Sequence, residues 1–283
     1  MALRREPTAR QKRLAAELRR LREAADLTAR EAAALLGVSP VQISHIESAL
    51  AGVSEERLRR LASHYSCTDG QFIDALVAMA TDRARGWWEE YRGLLPTSFL
   101  DLSELDHHAK FRHDVAVLYV PGLLQTEEYA HAVFSSRVPE LTQEELELRV
   151  RHRNARRVII EGPTAVPYSA VIHEAALRIR VGDRMASRTQ LARILELSEA
   201  DNVTVRAIPF DLDNFTRAGS AMTYSGGTVA KLDTVVRDTL LGTVFIDSEA
   251  QLSSARTIFR KIEDASLAPD RSRDFIHSVA KEL

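Results

Sequence analysis

The chain has 283 residues, 45% apolar and 28% charged, an ordinary balance for a soluble globular protein of one or two domains with a sizeable core. No apolar run approaches the roughly twenty residues of a membrane helix, and the basic opening MALRREPTARQKR has no apolar segment behind it, so a cytoplasmic protein without membrane contact is expected. One cysteine, Cys67, excludes an internal disulfide and any four-cysteine metal site; it reads as a small half-buried core residue.

The net charge of −2 hides an asymmetry. Residues 1–66 carry twelve Lys and Arg against eight Asp and Glu, or +4, leaving 26 against 32, or −6, for the remainder. Arg4, Arg5, Arg10, Lys12, Arg13, Arg19, Arg20 and Arg22 precede the motif described next, opposed there by Glu6 and Glu17, and are enough for phosphate contacts on one duplex face.

In chain order, Leu14, Leu18 and Leu21 recur at helical spacing and predict a first helix over about 8–25. The stretch LTAREAAALLGVSPVQISHIESAL (27–50) follows. Thr28 with Glu31, and Ser39 with Gln42, are capping boxes that open two short helices about eleven residues apart. Between them Gly37 permits a turn closed to side chains with a Cβ, and Ala33 is small enough for the second helix to cross closely. Leu36, Val38, Ile43 and Ile46 supply the contacts: a helix-turn-helix. Ser54, Glu55 and Glu56 open a fourth helix with Leu58, Leu61, Ala62 and Tyr65 as its stripe, and a fifth spans Thr68 to about Ala80. The segment TDRARGWWEEYRGLLP is too apolar for a free linker and predicts a docked aromatic helix ending at Pro96.

Beyond Pro96 the pattern becomes mixed. VAVLYV (115–120), AVPYSAVI (165–172), NVTVRAIPF (202–210), GSAMTYS (219–225), TVAKLDTVV (228–236) and GTVFID (242–247) read as strands, with Ser225, Gly226 and Gly227 suggesting a tight hairpin. Helices are expected from Thr126, from the Thr142 and Glu145 capping box through LELRVRHRNARRV, over about 185–198, from Ser248 to about Asp264, and from Pro269 to Val279. The fold class is therefore an all-α helix-turn-helix domain of five helices (1–80), a linker helix (81–96) and an α+β domain with a largely antiparallel sheet (97–283).

A recognition helix enters the major groove with its N-terminal residues against base edges. With Ile43 and Ile46 buried, Val41, Ser44, His45 and Ser48 point outward, with Pro40 at the leading end and Ser39 as the cap. Val41 suits a thymine methyl, and His45 a guanine edge or a phosphate. Gln42 is expected to be occupied in its own capping box. Thr28 and Arg30 open the preceding helix, where N–H groups and a hydroxyl can hold a phosphate. No Lys or Arg lies between Leu35 and Glu56, so one domain should bind weakly. A homodimer on a double-stranded operator with two half-sites is expected.

The first 66 residues resemble the xenobiotic-response-element class of helix-turn-helix regulators. WW with EYRGLLP, VPGLLQTEEYA (120–130), IHEAALRIRVG (172–182), NVTVRAIPF and LAPDRSRDFI (267–276) look like the signature blocks of actinobacterial WhiJ-like regulators, whose C-terminal module was long a domain of unknown function and is often labelled antitoxin-like. The resemblance implies a transcription regulator paired with a small acidic protein encoded nearby. Two residues depart from the class pattern: Ala29 replaces a phosphate-touching glutamine, and Ala49 replaces the glycine after the recognition helix. The helix is expected to run on, or the turn to move to Gly52.

Candidates for chemistry are few. HEAAL at His173 has Leu177 where H-E-x-x-H needs its second histidine, and no nucleophile elbow surrounds Ser220. His107, His108 and His113 read as exposed or structural. Leu123, Leu124 and Gln125 belong either to a capped turn or to an effector or partner groove, with Trp87 and Trp88 as further candidates. Arg149, Arg151, Arg153, Arg156 and Arg157 read as a solvated helix face, or more sharply as a dock for an acidic partner. No metal, cofactor or catalytic constellation is expected. A DNA-binding regulator is favoured over an antitoxin-like interaction module and over an enzyme fused to a DNA-binding head.

Overall fold

The computed structural model describes residues 6–82, 84–212, 220–239 and 242–283. The chain divides into two compact units, Met1–Glu89 and Glu90–Leu283.

The first unit contains five helices: α1 (Ala9–Ala24), α2 (Ala29–Leu36), α3 (Pro40–Glu47), α4 (Glu55–His64) and α5 (Gly70–Thr81). Each begins on a polar cap, in order Thr8, Thr28, Ser39, Ser54 and Asp69, whose side-chain oxygen accepts from the N–H three residues on. The stripes close on one core of Leu14, Leu18, Ala33, Leu36, Ile43, Ile46, Leu58, Leu61 and Leu76.

The first four helices also end alike. The N–H of Leu27, Val38, Leu50 and Cys67 reaches back to the carbonyl of Arg22, Ala33, His45 and Ala62, closing a Schellman turn in each case. The residue before each closing N–H is left-handed: Asp26 at φ 54°, Gly37 at 73°, Ala49 at 58° and Ser66 at 55°. A Cβ on Gly37 would meet nothing within 4 Å, so glycine is needed there for its backbone angle and not for space. Ala49 corrects the expectation that the turn would move to Gly52, because Ala49 itself takes the strained angle. The backbone hydrogen bonds of Ala49 to Ile46 and of Leu50 and Ala51 to His45 hold it there. Ala49→Gly should therefore raise the stability of this unit by about 1 kcal/mol, read as a higher denaturant midpoint with an unchanged slope. An unchanged midpoint would show that the turn carries no strain.

After α5 the expected linker helix is absent: Trp87–Tyr91 forms a single 3-10 helix, followed by a bridge between Arg92 and Leu95. Residue 83 of that stretch lies outside the described residues.

The second unit runs α6 (Thr97–His108), β1 (Phe111–Ala116), α7 (Glu127–Ser135), α8 (Gln143–Ala155), α9 (Val158–Glu161), β2 (Tyr168–His173), α10 (Glu174–Arg178), α11 (Arg184–Leu197), β3 (Val203–Ile208), β4 (Met222–Gly226), β5 (Thr234–Thr239), β6 (Gly242–Ile246), α12 (Glu249–Ala265) and α13 (Pro269–Glu282). The six strands form one mixed sheet, ordered β3-β2-β1-β4-β5-β6. β1, β2 and β3 pair in parallel, and the β1–β4, β4–β5 and β5–β6 pairings are antiparallel. The sheet is thus mostly antiparallel with a parallel half. One face packs Ala170, Ile172, Val203 and Val205 against Leu191, Ile194 and Ile276. The other packs Val171, Met222, Tyr224 and Val235 under Leu252, Ala255 and Phe259 of α12.

Three expectations shift. The first strand is FRHDVA, four residues earlier than VAVLYV, and α6 was not foreseen. Ser225 and Gly226 belong to β4 itself, so no tight hairpin forms. A 3-10 turn at Ala230–Leu232 joins β4 to β5, and the Asp233 carboxylate closes it by accepting from the Gly227 N–H at 3.0 Å and the Tyr224 hydroxyl at 2.6 Å. Gly226 is dictated by close approach, since a Cβ there would lie 2.1 Å from the Phe111 ring. Gly219, expected to begin β4, lies outside the described residues.

Candidate nucleic-acid interface

α3 buries Ile43 and Ile46, which turns Pro40, Val41, Ser44 and Ser48 to solvent and leaves Gln42 and His45 half-buried at the flanks. Val41 is 61% exposed, the most exposed large apolar side chain among the described residues of this unit. Ser39 caps the helix, accepting from the Gln42 N–H at 3.3 Å, but the Gln42 side chain does not return the bond. The second expected capping box is only half formed: Pro40 at the first position pre-sets the helical φ, and the Gln42 amide stays unengaged among the described residues. Gln42 therefore joins the outward set.

Thr28 behaves differently. Its hydroxyl accepts from the Glu31 N–H at 3.2 Å and donates to the Glu31 carboxylate at 2.6 Å, while its own N–H donates to that carboxylate at 2.8 Å. These bonds hold the Glu31 carboxyl below its usual range and place a negative charge at the start of α2. Thr28 is a cap with its hydrogen bonds spent locally; exposed Arg30 carries the positive charge at this helix end.

The basic surplus is smaller than a residue count suggests. Arg13 pairs with Glu17, Arg20 with Glu17, Arg19 with Glu23, and Arg59 with Glu55 and Asp74. Arg22 is buried and forks onto Glu47 at 2.7 and 2.9 Å, its third nitrogen donating to the Leu27 carbonyl at 2.6 Å. This fork raises the Arg22 guanidinium above its ordinary value, chiefly through the Glu47 hydrogen bonds. Glu47 is the last residue of α3, so α1 grips the recognition helix by its C-terminal end. Nothing in the spacing announces that pair, 25 residues apart. Among the described residues, the exposed side chains of Lys12, Arg30, Arg57 and Arg60 have no acidic partner. Arg4 and Arg5 lie outside the described residues.

In the second unit, Leu123 and Leu124 are fully buried in the sheet core, and Gln125 is an internal tie whose amide donates to the Val120 carbonyl at 2.7 Å. The capped-turn account fits these residues, since Thr126 accepts from the Tyr129 N–H and its own N–H donates to Gln190. Trp87 meets the buried Trp88 edge-on at 6.1 Å. His173 accepts from the Ala175 N–H, and buried Glu174 accepts from the Phe210 N–H at 2.7 Å, so HEAAL anchors a loop. His113 stacks on Phe259 at 4.3 Å, and burial pushes its imidazolium below the usual range. Among the described residues no group of three or more His, Cys, Asp or Glu could hold a metal ion, and no helix is long and apolar enough to cross a membrane. The arginine run of α8 corrects the solvated-face expectation for all but Arg151, which is exposed: Arg156 is buried on Asp106, and Arg149, Arg153 and Arg157 are partly buried.

Residues 13–76 match the family described as a helix-turn-helix domain, and residues 99–278 match the one described as a domain of unknown function, DUF5753. No curated protein and no solved structure matches the chain. The first match covers the crossed helices α2 and α3 with their capped ends, and the second spans more than half the chain, including the whole sheet. The chain therefore belongs to the DUF5753 family and carries a helix-turn-helix DNA-binding domain ahead of that module.

Proposed function

We propose that the protein is a cytoplasmic, dimeric, sequence-specific transcriptional regulator that lays α3 in the major groove. The observation that carries this reading is the outward face of α3: an apolar methyl pair at Val41 with unengaged polar groups at Gln42, Ser44 and His45, over a buried Ile43 and Ile46. Val41 meets a thymine methyl, the Gln42 amide reads adenine in bidentate fashion, and His45 donates to a guanine edge or a phosphate. Ser39 and Pro40 approach the backbone at the leading end.

Four unpaired cations per head give a salt slope of about −3.5, and about −7 for two heads on one duplex. So shallow a grip needs both heads, which supports the dimer. The second unit is the sensing half, taking a small effector or a small acidic protein, a reading supported by the resemblance of its sequence blocks to WhiJ-like regulators. The test is to select operators from a random duplex pool with the full chain, then to measure the variant with Val41, Gln42 and His45 all changed to Ala. Loss of about 100-fold or more in operator affinity with unchanged thermal unfolding is expected. Undiminished, sequence-selective binding by that variant would remove α3 from the interface.

A further inference from the structure

The arginines on and just beyond α8 do not share one fate. Arg156 is neutralised by Asp106, its Nε lying 2.8 Å from that carboxylate. Arg149, Arg153 and Arg157, spaced four residues apart along one stripe at about 6 Å per step, form no ion pair among the described residues, and neither does Arg137 at the end of α7. Of the roughly twenty N–H donors these four guanidiniums carry, two are used among the described residues, both on Gln125: Arg153 donates to its side-chain oxygen at 2.5 Å and Arg157 to its carbonyl. The Nε of Arg149 and of Arg157 are shut from solvent with no acceptor.

Two of the planes are fixed by aromatic faces. Arg153 lies 4.2 Å from the centre of Phe134, and Arg149 lies 5.3 Å from that of Phe99, so both guanidiniums are held in place while spending a single donor, the Arg153 nitrogen on Gln125, among the described residues. Of the neighbouring acids, Glu145 is committed to the Thr142 cap, Glu161 to Arg193, Glu127 to Asn154 and Asp238 to the Thr243 hydroxyl; Asp238 and Glu128 act on Arg153 and Arg157 through their charge, with no ion pair among the described residues. The field is correspondingly positive. Burial first, and then Arg156, brings the Arg153 guanidinium down to about 9; burial, then Arg156 and Arg153, brings His152 down to about 3. Burial and then Arg137 lower Arg149.

We propose that Arg149, Arg153 and Arg157, with Arg137 beside them, bind a small polyanion carrying two or more phosphate or carboxylate groups, with Gln125 as the positioning residue beneath it. Like charges on one stripe, partly desolvated and unpaired, are a cost that a bound polyanion removes. Partly buried donors held over phenylalanine rings suit a small molecule better than the flat surface of a partner protein. This deepens the effector reading above, and binding is read without DNA so that loss of anion affinity and loss of operator affinity are separate results.

The test is calorimetric titration and thermal unfolding of the full chain with sodium pyrophosphate and, separately, citrate, at ionic strength matched with sodium chloride. The wild type should melt about 4 °C higher at tenfold excess over Kd. The Arg149→Gln/Arg157→Gln variant should lose at least about 100-fold in affinity and, without probe, should melt no lower than the wild type. Arg188→Gln, an exposed site on α11, should change neither. A response to pyrophosphate alone assigns a phosphate ligand, and to citrate alone a polycarboxylate. No response to either, or an undiminished response in the double variant, would each overturn the site. Should the double variant fail to fold, Arg149→Gln alone carries the same comparison, because that side chain makes no hydrogen bond among the described residues.

Discussion

Arg22→Ala is expected to destabilise the first unit by about 3–5 kcal/mol, a large share of what a domain of this size has in total. Arg22 and Glu47 have side chains only 10% and 9% exposed, so the truncation leaves a carboxylate desolvated with its fork of donors gone. Tyr65 shares the site; burial, with the Glu47 charge next, pushes its phenol up to about 12, so it stays neutral and cannot balance the Glu47 carboxylate. Denaturant unfolding followed by helical circular dichroism reads the effect. The exposed Arg19–Glu23 pair on the same helix is the internal contrast: Arg19→Ala should cost less than about 1 kcal/mol, because water screens that pair. Equal losses from the two variants would mean the Arg22 fork is no tighter than a surface pair. The apolar replacement Arg22→Met with Glu47→Leu should restore most of the stability. It also isolates function: if the fork sets the tilt of α3, the restored variant folds yet binds operator more weakly.

What was legible in the sequence was local. Thr28 with Glu31 and Thr142 with Glu145 announce helix starts because both partners of a capping box sit three residues apart, and both boxes form. Thr126 and Ser248 cap α7 and α12 with a single hydroxyl that accepts from the N–H three residues on. The outward face of α3 follows from Ile43 and Ile46 by helical geometry alone. What escaped depends on partners distant in the chain. α6 opens after Pro96 with no side-chain cap and carries a buried Asp106, so nothing local marks it. The apolar VAVLYV predicts β1, whereas the central strand holds Arg112 and Asp114, residues that enter a core only when opposite charges from other elements meet them. The parallel pairing of β1, β2 and β3 is invisible for the same reason: periodicity identifies strands, but not neighbours. At the candidate interface, the arginine count overstates the basic face because Arg13 and Arg22 serve the core, and Gln42 does not return the Ser39 capping bond that its spacing predicts.

That central strand is also where the second unit should be most fragile. Asp106 of α6 accepts from Arg112 of β1 and from Arg156 beyond α8, while Asp114 of β1 accepts from Arg112 at 3.2 Å, from the Tyr168 hydroxyl at 2.8 Å and from the Thr223 hydroxyl at 2.6 Å. Two cations and two anions cancel, so the cluster is neutral, and it joins α6, β1, β2, β4 and the end of α8. Burial alone would lower the Arg112 guanidinium; Asp106 and Asp114 outweigh it and raise the group, while burial and then Asp114 push the Tyr168 phenol far above its usual value. Asp106→Ala takes one charge from this balance and leaves two buried guanidiniums facing Asp114 alone, at a cost of about 3–5 kcal/mol. The outcome is read as a fall in the unfolding midpoint of the full chain, set against Glu199→Ala, which removes an exposed partner of Arg273 and should cost less than about 1 kcal/mol. If Asp106→Ala were as mild as Glu199→Ala, the polar centre of the sheet would have to be hydrated, and the parallel half would owe its register to apolar packing on its two faces instead.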